Sequence, residues 1–342
     1  MTNKWMQKLN KMEGAVNKEY NPFSEGNVLR STSPSLNWIF GKGAGLPFGY
    51  GAILFGPPKS GKSLVSNLFI GALHAQDPEA VAIKFNTEMR EAGQMEDYWG
   101  VDQDRYMAYD VNEPEFIFDR IKNEILPMVE DGMPLKLIVI DSLQGIQGVK
   151  ESNRDSMTNH LMGDHAKTIQ DGLKAILPTI RRHRIALICC AHIRGNMDAG
   201  MYGPKEKMAG GWAQKHFFEY FIEVKRNNKA DTKIEDDTIK DFRGKKEMVG
   251  HKIYVKMTES SVGVAGRSGQ FTLTYDKGLT DVGEEIATLA KSLNLVEMPN
   301  NRTYVVGDNK YTSKADFNKA LEEDKELQQR LLEQIYNKDK GI

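Results

Sequence analysis

Apolar positions along the chain change their period several times, and each change marks an element. Ala52-Ile53-Leu54-Phe55 run without interruption into Gly56-Pro57-Pro58-Lys59-Ser60-Gly61-Lys62-Ser63, and Leu64–His74 beyond reads as a helix. An unbroken apolar run of that length suits a strand covered on both faces. Leu137-Ile138-Val139-Ile140 and Ile185–Ala191 are two more such runs, and Ala82–Phe85 reads as a short apolar strand. Between them the spacing turns helical. Ile117, Ile121, Ile125 and Met128 share a face of Glu115–Val129, and Ile169, Leu173, Ile176 and Ile180 share a face of His165–Arg182. His216–Val224, His251–Met257 and the alternating Phe271, Leu273 and Tyr275 predict further strands. This alternation predicts an α/β fold, a mainly parallel central sheet with helices on both faces.

The two ends carry different patterns. Trp5, Leu9, Met12 and Val16 predict a short helix, followed by a turn-rich stretch, Asn21–Gly26, that presents Phe23. So short a helix buries little alone, so residues 1–30 read either as an arm packing on something else, such as another subunit, or as a frayed tail. Past Leu279 the chain predicts a small α+β unit. It has a helix over Val282–Leu293, a hairpin over Asn300–Tyr311 turning at Gly307-Asp308-Asn309, and a capping box at Ser313 and Asp316. A last helix follows with Leu327, Leu331 and Ile335 on one face. The division expected is therefore an arm (1–30), a core (31–280) and a C-terminal unit (281–342). Lys225–Glu247 breaks the periodicity with dense Lys, Asp and Glu. It reads as a solvated protrusion or long hairpin, with a DNA-contacting role as the alternative.

Composition narrows the function. The formal net charge of the 342 residues is −1, so nucleic-acid binding requires a local basic patch rather than a global field. No run approaches the roughly 18 consecutive apolar residues of a membrane span, and Met1–Lys11 lacks the apolar segment of a secretory signal. Cys189 and Cys190 are adjacent on a predicted strand and face opposite ways, which disfavours a disulfide between them and suits a reducing cytosol.

The chemistry gathers around Gly56–Ser63. It fits G-x-x-x-x-G-K-[ST], a phosphate-binding loop, in the required context of strand, loop and helix. Backbone N–H groups and the helix N-terminus attract the anion. Lys62 is expected on the β/γ-phosphates and Ser63 on Mg²⁺, with Gly56, Pro57, Pro58, Lys59, Ser60 and Gly61 forming the cradle for ATP. Asp141 closes an apolar strand, as the acid that holds Mg²⁺ does. Glu88 ends another strand, at the sheet edge where ligands of open α/β sheets bind, and is the candidate general base; its alternative is a helix-start Glu without chemistry. His192 follows Ile185–Ala191 at the same edge and reads as a γ-phosphate sensor or a structural histidine. The Gly-rich loop Arg194–Trp212 after it carries Arg194, Lys205 and Lys207. The loop Gly145–Gly163 carries Lys150, Arg154 and Met162. Both suit a single-stranded DNA surface as well as they suit an enzyme lid.

These motifs in this order resemble the RecA-type recombinases, the phage T4-type members above all. Leu36–Gly49 is similar to the family's approach L-x-x-x-x-G-x-G-G-L-P-x-G with one extra residue, Phe85–Glu88 to the strand ending in its catalytic glutamate, and Leu137–Ser142 to its metal-binding strand. Met162-Gly163 and Gly210-Gly211 fall in the places of its two DNA loops, and Gly278–Gly283 and Asn301–Tyr336 resemble its C-terminal unit. The resemblance implies a DNA-dependent ATPase that forms helical filaments on single-stranded DNA, searches double-stranded DNA for homology and exchanges strands. It implies ATP and Mg²⁺ held between protomers, Phe23 as an oligomerisation contact, and Lys256 reaching a neighbour's γ-phosphate. Single-strand-binding and mediator proteins of a phage, in the cytoplasm of its bacterial host, are the further partners implied. The chain departs from the family at three points. His192 stands where bacterial members have glutamine, Thr258 where a second trans lysine is expected (Arg267 being a candidate substitute), and Met95 lies near the place of the adenine-stacking tyrosine. The alternatives are a ring-forming helicase of the same fold and an oligomerising DNA-binding protein without strand exchange. Helicases of the fold usually bring an additional N-terminal domain, for which residues 1–30 are too short.

Overall fold

The computed structural model describes Lys8 and residues 20–89, 97–146, 164–195, 206–208, 216–226, 233–240, 242–300 and 302–338. The expected helix Trp5–Val16, Lys8 apart, and the loop centres around Arg154, Met162, Lys205 and Gly210 lie outside them. β1 (Val28–Leu29) and β2 (Leu46–Pro47) pair around a short helix, α1 (Pro34–Ile39), capped by the Ser33 side chain. The strands that follow in the chain are β3 (Gly51–Gly56), β4 (Val81–Asn86), β5 (Tyr106–Tyr109), β6 (Leu135–Asp141), β7 (Ala186–Gly195), β8 (Glu206–Met208) and β9 (Tyr220–Arg226). In the sheet they stand as β9-β3-β7-β6-β4-β5, every neighbour parallel, with β8 antiparallel beside the end of β7. Beyond β9 the sheet continues antiparallel through β11 (Lys246–Ser260), β12 (Ser268–Thr274) and β13 (Gly278–Thr280), while β10 (Lys233–Lys240) pairs with the start of β11.

Strand alternation divides the core. Leu54, Val139, Cys190 and Val224 face α1 and α2 (Lys62–Gln76). Ile53, Ile140, Cys189 and Phe221 face α4 (Asp164–Arg182) and the helical segment before β6. Both cysteines are buried, one in each layer. The segment expected as one α-helix over Glu115–Val129 is instead two π-helical turns, Glu115–Asp119 and Ile121–Ile125, followed by α3 (Leu126–Glu130). Pro127 enters the first turn of α3 without an N–H to donate, and the hydrogen bonds before it span five residues. The face then advances more slowly than an α-helix would carry it. Ile117, Ile121 and Ile125 stay buried and Leu126 joins them, while Met128 is 54% exposed.

The charged stretch Lys225–Glu247 includes a hairpin. β10 and β11 run antiparallel with an irregular register between Asp236 and Lys240. At its tip Phe242 is 91% exposed, flanked by the exposed Lys240, Arg243, Lys245 and Lys246, with the Arg243 guanidinium 5.0 Å from the Phe242 ring centre. The acidic residues Glu235 and Asp236 of β10 lie behind them, together with the exposed Glu247 of β11, which follows Lys246.

After β13 come α5 (Val282–Ser292), the hairpin of β14 (Tyr304–Val306) and β15 (Asn309–Tyr311), α6 (Lys314–Glu323) and α7 (Lys325–Asn337). They enclose a third apolar cluster of Ile286, Phe317, Leu321, Leu327, Leu331 and Ile335. The Ser313 hydroxyl accepts from the Asp316 amide at 3.0 Å, as the capping box predicts. Among the described residues no helix is long and apolar enough to cross a membrane.

One buried carboxylate ties α5 to the start of α1. Glu285 Oε2 accepts from Ser33 Oγ at 2.6 Å and from the Ser35 amide at 2.9 Å, while Oε1 is buried without a partner. Burial above all, with Asp281 adding to it, pushes the Glu285 carboxyl up to about 8, against the two hydrogen bonds. A folded-state pKa above the unfolded one means that the native chain holds the extra proton between the two values. Stability is therefore fully present below the ordinary carboxylate range and declines as pH rises toward about 8. Glu285→Gln keeps an acceptor for Ser33 and Ser35 and cannot ionise. Melting temperatures measured from pH 6 to pH 9 should fall less in this variant than in the parent; parallel declines would show that Glu285 does not titrate in this window.

Candidate nucleotide site

The carboxyl ends of β3, β4, β6 and β7 meet at one edge of the sheet. β3 delivers the phosphate loop there. A Cβ on Gly56 would run into the Val224 carbonyl and, at 2.9 Å, the Ser60 hydroxyl, so the backbone packs where only glycine fits. Gly61, at φ +100°, turns the chain into α2 and rests against the Ile253 side chain of β11. Lys62 is buried, its ammonium donating to the carbonyls of Gly56 at 3.2 Å and Pro57 at 2.9 Å. Burial lowers its pKa, while the nearby Cys190, Asp141 and Glu88 act in the opposite sense. Ser60 is buried with its hydroxyl unpartnered, whereas Ser63, Pro58 and Lys59 are exposed and Pro57 is half-buried.

Asp141 ends β6 beside Asn86 of β4, and its carboxylate is buried. The cis peptide Asp141–Ser142 follows it. Thr87 binds across this junction: its amide donates to Asp141 O at 2.9 Å, its hydroxyl to Ser142 O at 2.5 Å, and it accepts from the Ser142 amide at 2.8 Å. Three bonds in two residues fix Glu88, the next residue, relative to Asp141. Glu88 Oε1 lies 2.7 Å from His192 Nε2 and 3.5 Å from Ser142 Oγ. With Glu88 ionised, Nε2 carries the ring proton. His192 is set in turn by Gln144, whose Oε1 accepts from the His192 amide at 2.7 Å. Glu88 and His192 are each about a quarter exposed, so both are open to a ligand while remaining held.

The sequence reading brought Lys62, Glu88, Asp141 and His192 to one edge, and the structure places them there. It missed Thr87 and Gln144, which carry no motif of their own. It also missed Lys84, for which a signal existed: a lysine inside the otherwise apolar run of β4.

The remaining expected residues stand apart from this edge. Lys256 is half-buried on β11, between Glu223 of β9 and Ser268 of β12. It faces away from the side on which Ile253 supports Gly61, so it does not serve its own phosphate loop. Phe23 is half-buried against its own chain, its ring 6.3 Å from that of Tyr50 and its carbonyl against Gly43. Arg267 stacks on Trp38 at 3.8 Å and donates to the Trp38 carbonyl, so a role on a neighbour's phosphate would require it to leave this seat. Arg194, two residues beyond His192, is in register with Lys207 in the β7–β8 pairing. Lys150, Arg154, Met162, Gly163, Lys205, Gly210, Gly211 and Met95 lie outside the described residues.

The site fits ATP and Mg²⁺ by its donors. The glycine-lined loop and the Lys62 ammonium suit phosphate, and the Ser63 hydroxyl and Asp141 carboxylate are hard oxygen ligands. Among the described residues no group of three or more His, Cys, Asp or Glu could hold a metal by itself.

Comparison with known proteins agrees with this geometry. Residues 8–280 match the RecA N-terminal domain. The chain is 26% identical over 263 residues to Protein RecA of Oleidesulfovibrio alaskensis, covering 76% of this chain and 68% of that protein. It is 23% identical over 270 residues to Protein RecA of Desulfovibrio desulfuricans (75% and 66%), and 26% identical over 272 residues to that of Mesoplasma florum (78% and 74%). These alignments span about two thirds to three quarters of the relatives' lengths. With the phosphate loop, the Glu88–His192 pair and the parallel sheet in the same stretch, the chain belongs to the RecA family.

Proposed function

We propose that the chain is an ATP-dependent DNA recombinase that assembles as a helical filament on single-stranded DNA and exchanges strands with homologous double-stranded DNA, hydrolysing ATP in a DNA-stimulated manner. The observation that carries this is the path along β7. His192 touches Glu88 at 2.7 Å, and two residues later Arg194 pairs with Lys207 of β8, at the root of the Gly-rich loop. A change at the γ-phosphate that moved His192 would move the strand that bears this loop. Glu88 deprotonates the attacking water, Lys62 neutralises the β/γ-phosphates, Ser63 and Asp141 hold Mg²⁺, and His192 senses the γ-phosphate. Lys256 acts on the neighbouring protomer, a role supported by its facing away from its own loop. Residues 1–30 form the oligomerisation arm with Phe23, and residues 281–342 a small C-terminal domain. The DNA surface comprises Lys150, Arg154, Met162, Gly163, Arg194, Lys205, Lys207, Gly210 and Gly211. The hairpin tip supports an added contact there, since an exposed aromatic among cations suits base stacking and phosphate. The likeness of its motifs to the phage recombinase UvsX supports a setting in the cytoplasm of an infected bacterium, with phage single-strand-binding and mediator proteins as partners.

The test is ATPase activity with and without single-stranded DNA, followed by strand exchange. Stimulation and exchange are expected, with helical filaments by electron microscopy on a slowly hydrolysed ATP analogue. Rings with unwinding activity would make it a helicase, and filaments without exchange a binding protein. Phe242→Ala combined with Lys245→Ala and Lys246→Ala should weaken single-strand affinity and reduce its dependence on salt by about the two cations removed. An unchanged salt slope would take the hairpin out of the DNA surface.

A further inference from the structure

Sheet pairing runs out just short of His192. β6 and β7 are in register only from Leu137–Ala186 to Ile140–Cys189. β7 continues, paired on its other side with β3 as far as Gly56–His192. On the β6 side the chain leaves the sheet after Asp141 and enters a 3₁₀ turn, Leu143–Gly145. Gln144 of that turn stands in for the missing strand, its Oε1 accepting from the His192 amide at 2.7 Å. A backbone N–H withdrawn from water needs such an acceptor, because leaving it unpaired is costly.

The turn that carries Gln144 is itself pinned. Leu143 and Ile146 are buried in the apolar layer that α4 covers. The Gly145 amide donates to Ser142 O at 3.1 Å, and a Cβ on Gly145 would run into the Thr87 side chain. Thr87, which precedes Glu88, bonds Ser142 twice through its hydroxyl. One turn therefore braces the approach to Glu88 on one side and the backbone of His192 on the other. The His192 ring meets Glu88 through Nε2 at 2.7 Å, while Nδ1 is buried without a partner. Among the described residues no second hydrogen bond anchors the ring, so its placement against Glu88 is inherited from the backbone that Gln144 holds.

We propose that Gln144 is a positioning residue for hydrolysis: it substitutes for the absent β6 pairing and, by tying the His192 backbone to the turn that also braces Glu88, keeps the two side chains in the register that turnover requires. The inference rests on the reading of Glu88 as general base and His192 as the γ-phosphate sensor, and adds the residue that holds the pair together.

The experiment is a double-mutant cycle on steady-state phosphate release, with binding of a fluorescent ATP analogue measured beside it. Gln144→Met is close in length and removes the acceptor. It should lower kcat roughly ten- to hundredfold, the scale of a misplaced reacting group, and leave analogue affinity at the parental value. Gln144→Glu keeps an oxygen for the His192 amide and should recover most of the loss. In a His192→Ala background the amide remains and the imidazole is gone, so Gln144→Met should cost nothing further. An equal loss in both backgrounds would make Gln144 merely structural and overturn the proposal. Parental kcat in a folded Gln144→Met overturns it as well, as does failure of both Gln144 variants to fold. His192→Ala alone separates the two readings. If it leaves kcat unchanged, the role of His192 falls and that of Gln144 with it; if it lowers kcat while Gln144→Met does not, only the role of Gln144 falls.

Discussion

Replacing Glu88 by Gln should reduce ATP turnover by roughly 10²–10⁴-fold, the range supplied by a general base, and leave nucleotide affinity near that of the parent. Glutamine has the shape of glutamate and keeps an oxygen for His192 Nε2, 2.7 Å away in the parent. It cannot accept the proton of an attacking water. The carboxylate is fixed from behind by the three Thr87 bonds to Asp141 and Ser142, none of which the substitution touches. The variant should therefore fold, bind the fluorescent ATP analogue and fail at the chemical step. Two measurements check this, steady-state phosphate release and equilibrium analogue binding. Undiminished release would move the general base to another residue. Loss of both together would mean that Glu88 serves the architecture of the edge and not the reaction.

Lys62→Ala should abolish hydrolysis, with a loss of about 10³-fold or more, the scale seen when a cation on the transferred phosphoryl group is removed. The ammonium is buried and held at the mouth of the loop by two carbonyls of the loop itself, 2.9 and 3.2 Å away. Alanine removes the charge and leaves the Gly56 and Pro57 carbonyls facing the place where phosphate oxygens are expected. Unlike Glu88→Gln, this change should weaken binding as well as turnover, because the cation acts on ground state and transition state alike. A titration with the ATP analogue separates the two variants. Parental turnover in Lys62→Ala would remove Gly56–Ser63 from the reaction.

Much of this edge was legible because its residues sit at the ends of apolar runs. Glu88, Asp141 and His192 each terminate a run long enough to be a buried parallel strand, and such strands end together on one side of the sheet. What pattern could not supply was the order of the strands. Nothing in the spacing says that β7 lies between β3 and β6, which is what puts His192 within reach of Glu88. Gln144 and Thr87 were invisible for a related reason: each acts through a bond to a residue distant in sequence. The π-helical turns before β6 escaped because the spacing of Ile117, Ile121 and Ile125 is also that of one face of an α-helix. The hairpin of β10 and β11 was among the readings of Lys225–Glu247, but its strand bounds were obscured by charge, since alternation is hard to see where both faces of a strand meet water.

The support that Ile253 gives Gly61 has a consequence for any assembly. One strand, β11, braces its own phosphate loop with one face and offers Lys256 with the other. If that offer is taken up by the next molecule, every joint is head to tail and the polymer has a direction. One terminal molecule then always possesses a braced loop that no neighbour completes. The idle fraction is largest in the shortest assemblies, so turnover per molecule should climb with polymer length before levelling off. The same strand would also carry strain from a neighbour's phosphate toward its own, giving successive sites along the polymer a mechanical reason to fire in sequence.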